Sequence, residues 1–329
     1  MEYPQVTVLI PIRNVAKYIE ECLDALLNQT YPSDRFEVWL LDNYSDDGTL
    51  EIVEKYPKNR VRVIQSGVHL PPIKYNKIIP EVKSEIIGFV DGDANVDKYW
   101  LEKVVEFIGD SKVAGVSGVI LTQNKNKLVP RVIGYEIQDR YERMPREITR
   151  VANMNVVYKK SALEKIGGFN ESLKTGYDCE IGYRIKDAGY KILYIPEAKV
   201  YHNHRDNLGD FFKQQYEYGK FAVPRYLKRP KILKGDNVTS FWMISQPLFY
   251  LASVLLFFSF FIFKTPFWLV ILPLVILFLS YFYSAGRLML KFRDVSAIVL
   301  IAIYIIRVWG WSLGASEAVL SIIKNKIID

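Results

Sequence analysis

The chain has 329 residues, about twice the length of a typical single domain, and half of its residues are hydrophobic. The apolar residues are spread unevenly: positions 1–246 are mixed and charged, whereas positions 247–320 consist mainly of Leu, Ile, Phe, Val, Tyr and Trp. The two cysteines, Cys22 and Cys179, fit no metal-ligand spacing and exclude a fold built on a disulfide framework. The composition therefore predicts a soluble domain in a reducing compartment, followed by a membrane tail.

The net charge is +7, and basic residues are crowded just before the apolar tail. These residues are Lys220, Arg225, Lys228, Arg229, Lys231 and Lys234. A basic patch is also typical of nucleic-acid binding, but its position beside a hydrophobic stretch favours the anionic headgroups of a membrane. No signal peptide precedes the first apolar run, so we expect the N-terminal domain on the cytoplasmic side.

Strand and helix patterns alternate over the first hundred residues. Strands are predicted at 6–11, 36–41, 61–64 and 85–90, and helices at 15–28 and 48–55. Alternation of this kind predicts βαβ units and a parallel sheet. In such sheets, ligands bind at the carboxyl ends of the strands.

Polar side chains follow three of these strands at the point where each ends. They are Arg13 and Asn14 after the first strand, Asp42 and Asn43 after the second, and Asp91 and Asp93 after the fourth. Each cluster alone is also typical of a turn, but their shared position at one edge of the sheet favours a nucleotide site. An Asp-x-Asp pair offers oxygen ligands to a divalent cation and leaves coordination positions open for phosphate oxygens.

The pattern is less regular after residue 110. Strands are predicted at 113–119, 151–158 and 190–195, and a helix at 177–188. Residues 208–228 predict an amphipathic helix at the membrane surface, broken at Pro224.

Three segments of the tail are candidate membrane spans. They lie at 247–263, at 266–283 and from 295 to about 314. The first two are apolar on every face, which argues against a buried helical hairpin in a soluble protein. Arg307 is the single charge within the third segment, where it either snorkels or faces a lipid-phosphate path.

The basic loop after the second span sets the predicted orientation. Its charged residues include Arg287, Lys291 and Arg293. The positive-inside rule places that loop and the N-terminal domain in the cytoplasm. Three spans would leave the C-terminus outside, whereas the positive charges of Lys324 and Lys326 favour the cytoplasm, so the topology of the last segment stays open.

Four segments, taken together, resemble one enzyme family. In chain order they are VTVLIPIRN, LLDNYSDDGT, IIGFVDGDA and IGGFNESLKTGYDCEIGYRIKDAGYKI. Their order and spacing are similar to those of the inverting family 2 glycosyltransferases with the GT-A fold, in particular membrane-tethered members that act on lipid-linked acceptors. The resemblance implies an α/β, Rossmann-like GT-A catalytic domain at 1–206 in the cytoplasm, an amphipathic interfacial helix and basic linker at 207–246, and a membrane region with about three transmembrane helices at 247–329.

The resemblance also implies a donor and a cofactor: a UDP- or GDP-sugar, with Mg²⁺ or Mn²⁺, and a single displacement that inverts the anomeric carbon. The nucleotide-sugar contacts that it implies are Pro11, Arg13, Asn14, Asp42, Asn43, Asn76 and Asp91. Asn43 stands where many members have a second aspartate, which leaves the nucleotide open. Arg13 stands where a smaller polar or aromatic residue is common.

The metal ligands implied by the resemblance are Asp91 and Asp93, and which of the two coordinates the ion directly stays open. The ion would offset the charge that develops on the diphosphate as the sugar bond breaks. His202 follows a strand-like segment and is either a third ligand or a surface histidine.

The catalytic base implied by the resemblance is Asp178, with Glu180 as the alternative. Both follow a Gly-Gly-Phe segment at 167–169, and Tyr177 replaces the acidic residue usual before the base. A carboxylate within hydrogen-bond reach suffices to deprotonate an acceptor hydroxyl. Acidic residues also favour the N-terminus of a helix without any catalytic role.

The segment after the domain bears on the acceptor. Gln214, Gln215 and Tyr218 stand where processive polysaccharide synthases carry Gln-Gln-x-Arg-Trp, and the Arg and Trp are absent here. We therefore expect transfer of one sugar to a polyprenyl- or dolichyl-linked glycan at the bilayer, with no nucleic-acid partner. The alternatives are a polyprenyl-phosphate hexose synthase, a processive synthase, and an inactive scaffold that binds sugar nucleotides at the membrane.

Overall fold

The structure is a computed structural model that describes residues 3–328, and the side chains of residues 3–325. It forms two compact units. The first, called here the sheet unit, contains residues 1–123 and 140–203, and the second, the helical unit, contains residues 124–139 and 204–329. The helical unit therefore takes in a short segment from the middle of the chain, which the sequence assigns to the catalytic domain. Lys326 lies beyond the described side chains.

All the strands belong to one sheet in the sheet unit. They are β1 (Val6–Ile12), β2 (Phe36–Asp42), β3 (Val61–Gln65), β4 (Ile86–Phe89), β5 (Ala94–Val96), β6 (Val113–Thr122), β7 (Glu147–Ile148), β8 (Val156–Lys159) and β9 (Lys191–His202). The helices of the chain are α1 (Ile19–Leu27), α2 (Thr49–Val53), α3 (Pro71–Ile78), α4 (Trp100–Val105), α5 (Leu128–Tyr141), α6 (Lys160–Lys165), α7 (Tyr177–Asp187), α8 (Leu208–Lys228), α9 (Phe241–Phe263), α10 (Phe267–Phe292) and α11 (Leu300–Ile328). Short 3₁₀ turns lie at Ile79–Glu81, Pro230–Lys234 and Val295–Val299.

The sheet is mixed, with strand order β3-β2-β1-β4-β8-β6-β9-β5, and β7 pairs with β9. The first four strands in this order, β3, β2, β1 and β4, are parallel to their neighbours, which confirms the parallel sheet predicted for the first hundred residues. In the β1–β2 ladder, Ile12 lies opposite Asp42. The polar residues that follow β1 and β2 therefore emerge at the same edge of the sheet.

Alternate residues of β1 enter two different cores, because successive side chains of a strand point to opposite faces. Val8 and Ile10 belong to a core that includes α1, whereas Leu9 belongs to a core that includes Tyr75 of α3. All four side chains are fully buried. Both faces of the sheet are thus covered, as is usual for parallel strands joined by helices.

Several element boundaries differ from the prediction. The predicted strand 151–158 begins only at Val156, because the Asn155 amide donates to the Ala152 carbonyl and closes a turn instead of extending the ladder. The helix predicted from residue 15 begins at Ile19, and the short strand predicted at 190–195 continues to His202. The helices α3, α4, α5 and α6 and the short strands β5 and β7 were not predicted.

The prediction that α8 breaks at Pro224 is wrong, because the helix continues from Leu208 to Lys228 with the proline inside it. A proline removes one backbone hydrogen bond from a helix interior, and packing must offset that loss. The face of α8 that carries Phe211, Gln215 and Gly219 is buried in the helical unit.

Three segments are long and apolar enough to span a membrane: Phe241–Phe263, Phe267–Phe292 and Val295–Asn325. The first two are longer than the predicted spans 247–263 and 266–283, and α9 and α10 are separated only by residues 264–266. Their outward side chains are mostly large and apolar, as in Phe257 and Leu279. These three helices confirm a C-terminal helical region suited to a bilayer.

Candidate active site

The loops after β1 and β2 are joined by Asn14. Its backbone has φ 54°, in the left-handed region that asparagine tolerates better than most residues. Its amide nitrogen donates to Oγ of Ser45 at 3.0 Å, and its side chain exchanges hydrogen bonds with Asp46 in both directions. The sequence-predicted Asn14 is thus a bridge between the two strand ends. Pro11, opposite Leu41 in the ladder, lies three residues before it.

Asp42 is fully buried at the end of β2. Its carboxylate accepts from Oγ of Ser45 at 2.6 Å and from the Ser45 backbone amide. Lys74 of α3 lies behind it and donates to the Leu41 carbonyl at 3.2 Å. Burial lowers the pKa of Lys74 to about 8, and the negative charge of Asp42 partly opposes that shift. Asp42 and Lys74, which no sequence motif links, therefore lie close enough at this edge of the sheet for their charges to interact.

The side chains of Arg13 and Asn43 both contact the ring of His69. Nη1 of Arg13 lies 2.8 Å from Nδ1 of His69, and Nδ2 of Asn43 lies 2.9 Å from the same nitrogen. Because both neighbours are donors, we assign Nδ1 as the acceptor, with the ring proton on Nε2. His69 was not predicted as a site residue, since it lies in a loop after β3 with no motif around it.

Asp91 and Asp93 follow β4, and His202 ends β9. β5 and β9 are antiparallel, and their register places Ala94 opposite His202, which brings the histidine beside the acidic pair. Nε2 of His202 lies 3.4 Å from Oδ1 of Asp93. The fold thus brings together all three predicted metal ligands, from segments about a hundred residues apart in sequence.

Electrostatics at the acidic pair favour a cation. Burial and the neighbouring charge of Asp93 raise the pKa of Asp91 to about 6, while the charge of His202 opposes the rise. A divalent ion between the two carboxylates would relieve this repulsion. No group of three acidic, cysteine or histidine side chains is arranged as a closed metal site within the described residues. Two carboxylates nevertheless fit Mg²⁺ or Mn²⁺, since Mg²⁺ binds through one or two carboxylates plus substrate phosphates.

Asp178 lies in the first turn of α7, and its charge acts on Asp91 of the acidic pair. Its negative charge contributes to the raised pKa of Asp91. Tyr75 of α3 completes this region, and the charges of Asp91 and Asp178 add to burial in raising its pKa. The Tyr75 hydroxyl is fully buried, and the side chains of Asn153 and Tyr177 interact with it and oppose the rise, although neither forms a hydrogen bond of good geometry among the described residues. Tyr75 is therefore a protonated hydroxyl within electrostatic reach of two carboxylates, and sequence reasoning missed it.

Glu180 has a different environment from Asp178. Both of its oxygens accept from Nε of Arg184, at 2.8 and 2.9 Å. The two Nη groups of Arg184 donate to the carbonyls of Ile166 and Gly168. Glu180 thus holds an arginine that fixes the Gly-Gly-Phe turn, whereas Oδ1 of Asp178 accepts one local bond from the Cys179 amide.

Asn76 fixes the same turn from the other side. Its amide donates to the Phe169 carbonyl at 2.8 Å and accepts from the Phe169 amide at 2.7 Å. Gly168, with φ 70°, has no room for a Cβ because that atom would overlap Oδ1 of Asn76. The structure therefore places Asn76 against the backbone that leads to Asp178, with its amide engaged there.

The three predicted acceptor residues belong to α8 in the helical unit. Gln215 is buried, and its Oε1 accepts from Nε1 of Trp311 at 3.0 Å. Gln214 lies beside it and accepts from its amide at 3.3 Å. Tyr218 is exposed. Gln215 therefore links α8 to α11.

Residues 7–167 match the family described as Glycosyl transferase family 2. The chain carries a family 2 glycosyltransferase domain. The sequence of this glycosyltransferase is 27% identical over 252 residues to glycosyltransferase AglE of Haloferax volcanii, a match that covers 73% of this chain and 80% of AglE. It is 26% identical over 237 residues to the pre-mycofactocin glycosyltransferase of Mycobacterium tuberculosis, covering 68% of this chain and 48% of that protein.

The fold of this glycosyltransferase is also found in solved structures. Mannosyltransferase PcManGT from Pyrobaculum calidifontis, solved in complex with GDP-Man and Mn²⁺, superposes with a TM-score of 0.61 at 19% identity. The match covers 97% of this chain and 88% of PcManGT. At this level of identity the likeness concerns the fold, and it confirms the GT-A architecture predicted from the sequence.

Proposed function

We propose that this glycosyltransferase moves one sugar, with inversion, from a nucleotide sugar to a lipid-linked glycan at a membrane surface. The observation that carries the proposal is the convergence of Asp91, Asp93, His202 and the charge of Asp178 at one edge of the sheet. A half-buried acidic pair within electrostatic reach of a further carboxylate suits a reaction that needs both a cation and a base.

The donor would occupy the edge formed by the ends of β1 and β2. Asp42 and the Asn14 bridge lie where a parallel sheet binds nucleotides, and Arg13 adds a positive charge for the diphosphate. A UDP- or GDP-sugar fits this arrangement. PcManGT, which shares the fold, is solved with GDP-Man.

The cation would be held by Asp91 and Asp93, with His202 beside Asp93. Bound Mg²⁺ or Mn²⁺ supplies positive charge that stabilises the departing diphosphate. Mn²⁺ accompanies the donor in PcManGT. The protein's own residues keep the two carboxylates side by side at the end of β4 and provide the protonated Tyr75 hydroxyl near them.

The base would be Asp178, because its charge acts on Asp91 and, among the described residues, its carboxylate accepts only from the adjacent Cys179 amide. We assign Glu180 a positioning role instead, since both of its oxygens accept from Arg184. Asn76 likewise positions the turn before Asp178. Proton removal from an acceptor hydroxyl by such a carboxylate is worth roughly 10²–10⁴ in rate.

A lipid-linked acceptor is supported by the helical unit. Its α9 and α10 are long and apolar enough to span a bilayer, and the basic residues at 225–234 suit anionic lipid headgroups on the cytoplasmic side. Gln214, Gln215 and Tyr218 stay our candidates for contact with the acceptor. The protein would then meet its acceptor at the membrane surface.

The test is transfer of labelled sugar by the full-length protein in lipid vesicles that contain polyprenyl-linked glycan. We expect product with one UDP- or GDP-sugar, loss of product when EDTA removes the cation, and recovery on addition of Mn²⁺. Asp91→Asn and Asp93→Asn should each lower turnover by about 10²-fold or more, because the site then holds the cation less tightly.

The matched control is Asp34→Asn, an exposed aspartate whose contact in the structure is with Arg35. It should retain wild-type turnover. Metal-independent transfer, or full activity in both acidic-pair variants, would contradict the proposed site.

A further inference from the structure

We infer that α11 does not cross the bilayer but lies along the membrane surface, on the same side as α8 and α5. The helix is long enough to cross, since it runs from Leu300 to Ile328. It packs against the apolar α10, where the Tyr281 and Tyr304 rings lie 5.3 Å apart, but two of its other neighbours within the helical unit, α8 and α5, are helices that cannot enter hydrocarbon. This inference goes beyond the proposed function and does not depend on the reaction.

The first neighbour is α8, which runs parallel to α11 at a constant offset in sequence. The ring of Phe212 lies 5.4 Å from that of Trp309, Gln215 bonds Trp311, and Lys220 pairs with Glu317 at 2.6 Å. The offsets are 97 (309 − 212), 96 and 97 residues. Two helices that keep this register over two turns lie side by side.

The backbones of the two helices touch. A Cβ added at Gly219 of α8 would overlap the Trp311 carbonyl, and one added at Gly314 of α11 would overlap the Tyr216 carbonyl. The contact is therefore close over the whole segment of α11 around Gly314. Wherever this segment lies, α8 lies there too.

α8 is too polar to lie in hydrocarbon. It carries charged residues throughout its length, and a charge at the bilayer centre costs several kcal/mol. These residues are Asp210, Lys213, Glu217, Lys220, Arg225 and Lys228. If α11 crossed from Leu300, Glu317 would lie about 25 Å along the helix and would carry Lys220 to the far side of a core about 30 Å thick.

The second neighbour is α5, which pairs with the only charge in the apolar part of α11. Both Nη groups of Arg307 donate to the carboxylate of Glu136, and both side chains are almost entirely buried. α5 has 14 residues, and five-residue connections at 123–127 and 142–146 join it to β6 and β7. Both of its ends are therefore tied to the sheet, and it cannot lie across a membrane from it.

The face of α11 that points away from α5 carries much of the apolar character of the helix. Its exposed large side chains recur at helical spacing and form one stripe. They are Ile305, Trp309, Leu313, Val319, Leu320 and Ile323. A stripe of this kind, next to the apolar α9 and α10 and a basic linker, suits insertion into the headgroup and acyl boundary of one leaflet. The occupant of this face is therefore the lipid of that leaflet.

The test maps the side of the membrane on which α11 ends. Single cysteines are introduced into the full-length protein by Thr265→Cys in the α9–α10 turn, Val295→Cys after α10, and Asn325→Cys near the end of α11. Intact spheroplasts are then treated with a membrane-impermeant maleimide, with and without permeabilisation. The native Cys22 and Cys179 are buried, and the unsubstituted protein serves as the blank.

We expect Thr265→Cys to be labelled in intact spheroplasts and Val295→Cys only after permeabilisation. Asn325→Cys should behave like Val295→Cys, because a helix that does not cross the bilayer begins and ends on the same side of the membrane. Labelling of Asn325→Cys together with Thr265→Cys would overturn the inference. Neither result depends on catalytic activity, so a failure here is distinct from a failure of the proposed reaction.

A second measurement tests the orientation of α11 directly. Spin labels at residues 305, 313 and 320 of the protein in vesicles should report one similar, shallow depth of about 5–10 Å from their relative access to oxygen and to a polar relaxant. A crossing helix would instead give depths that change by about 22 Å over these 15 residues, which would overturn the inference.

Discussion

Tyr75 carries a buried hydroxyl that the charges of two active-site carboxylates influence. Because its interactions with Asn153 and Tyr177 fall short of good hydrogen-bond geometry among the described residues, removal of the hydroxyl should cost the fold little. We expect Tyr75→Phe to leave the thermal midpoint unchanged and to lower turnover about 10- to 100-fold, the effect of one lost bond to a charged group.

The comparison for Tyr75 is Tyr31→Phe. The Tyr31 hydroxyl donates to the Pro4 carbonyl at 2.6 Å, so this variant should lower the thermal midpoint and leave turnover unchanged. Turnover and thermal midpoint, measured for both variants, should therefore respond in opposite ways. A Tyr75→Phe protein with full turnover and lower stability would mean that the hydroxyl serves the fold alone.

Site residues could be predicted from sequence where they stand at strand ends. Asp42 and Asp91 stand at the ends of apolar runs that are recognisable without any structure, since a parallel strand covered on both faces is a nearly continuous hydrophobic run. His69, Lys74 and Tyr75 lie in a loop or a short helix with no periodic pattern, and only their contacts with the strand ends reveal them.

The first turn of α7 carries two acidic residues, Asp178 and Glu180, whose contacts indicate different roles. The charge of Asp178 contributes to the raised pKa of Asp91, whereas Glu180 holds Arg184 against the Gly-Gly-Phe turn. We expect Asp178→Asn to lower transfer to a hydroxyl by about 10²–10⁴-fold while stability is kept. Glu180→Gln should instead lower the free energy of unfolding by about 1–3 kcal/mol, because a charged hydrogen bond is lost, and retain most of the turnover.

Both variants are measured by steady-state turnover and by thermal unfolding under the same conditions. If Glu180→Gln abolishes transfer and Asp178→Asn does not, the two roles are reversed. If neither affects transfer, the acceptor needs no base, as expected of a lipid phosphate.

Elements with a strong local pattern were predicted, and α5 was not. The alternating and apolar runs of β1, β2 and β4 identify them as strands, because their pattern reflects burial within a few residues. The inner face of α5 instead carries polar residues, including Glu136 and the buried Asp139. Their partners lie about 150 residues or more further along the chain, so no local periodicity marks the helix.

At the scale of the whole chain, composition separates a charged region from an apolar tail, but the two compact units do not follow that division. Residues 124–139 belong to the helical unit although they lie between strands of the sheet. The clamp between α5 and the C-terminal helices consists of ion pairs: Asp139 accepts from Arg287 and Lys291, and Glu136 from Arg307. Pairings between charges so distant in sequence cannot be deduced from composition.

Among these ion pairs, disruption of Glu136–Arg307 should cause the largest loss of folding stability. Glu136→Gln leaves a buried guanidinium without its counter-charge, and breaking a buried pair from one side costs about 3–5 kcal/mol. We therefore expect a marked drop in the thermal midpoint of the protein in detergent, and partial recovery in the charge-swapped double variant Glu136→Arg/Arg307→Glu. The matched control is Glu147→Gln, because Glu147 pairs with Lys191 at an exposed position and should change stability by about 0–1 kcal/mol. Equal effects of Glu136→Gln and Glu147→Gln would mean that α5 is not held to α11 by this pair.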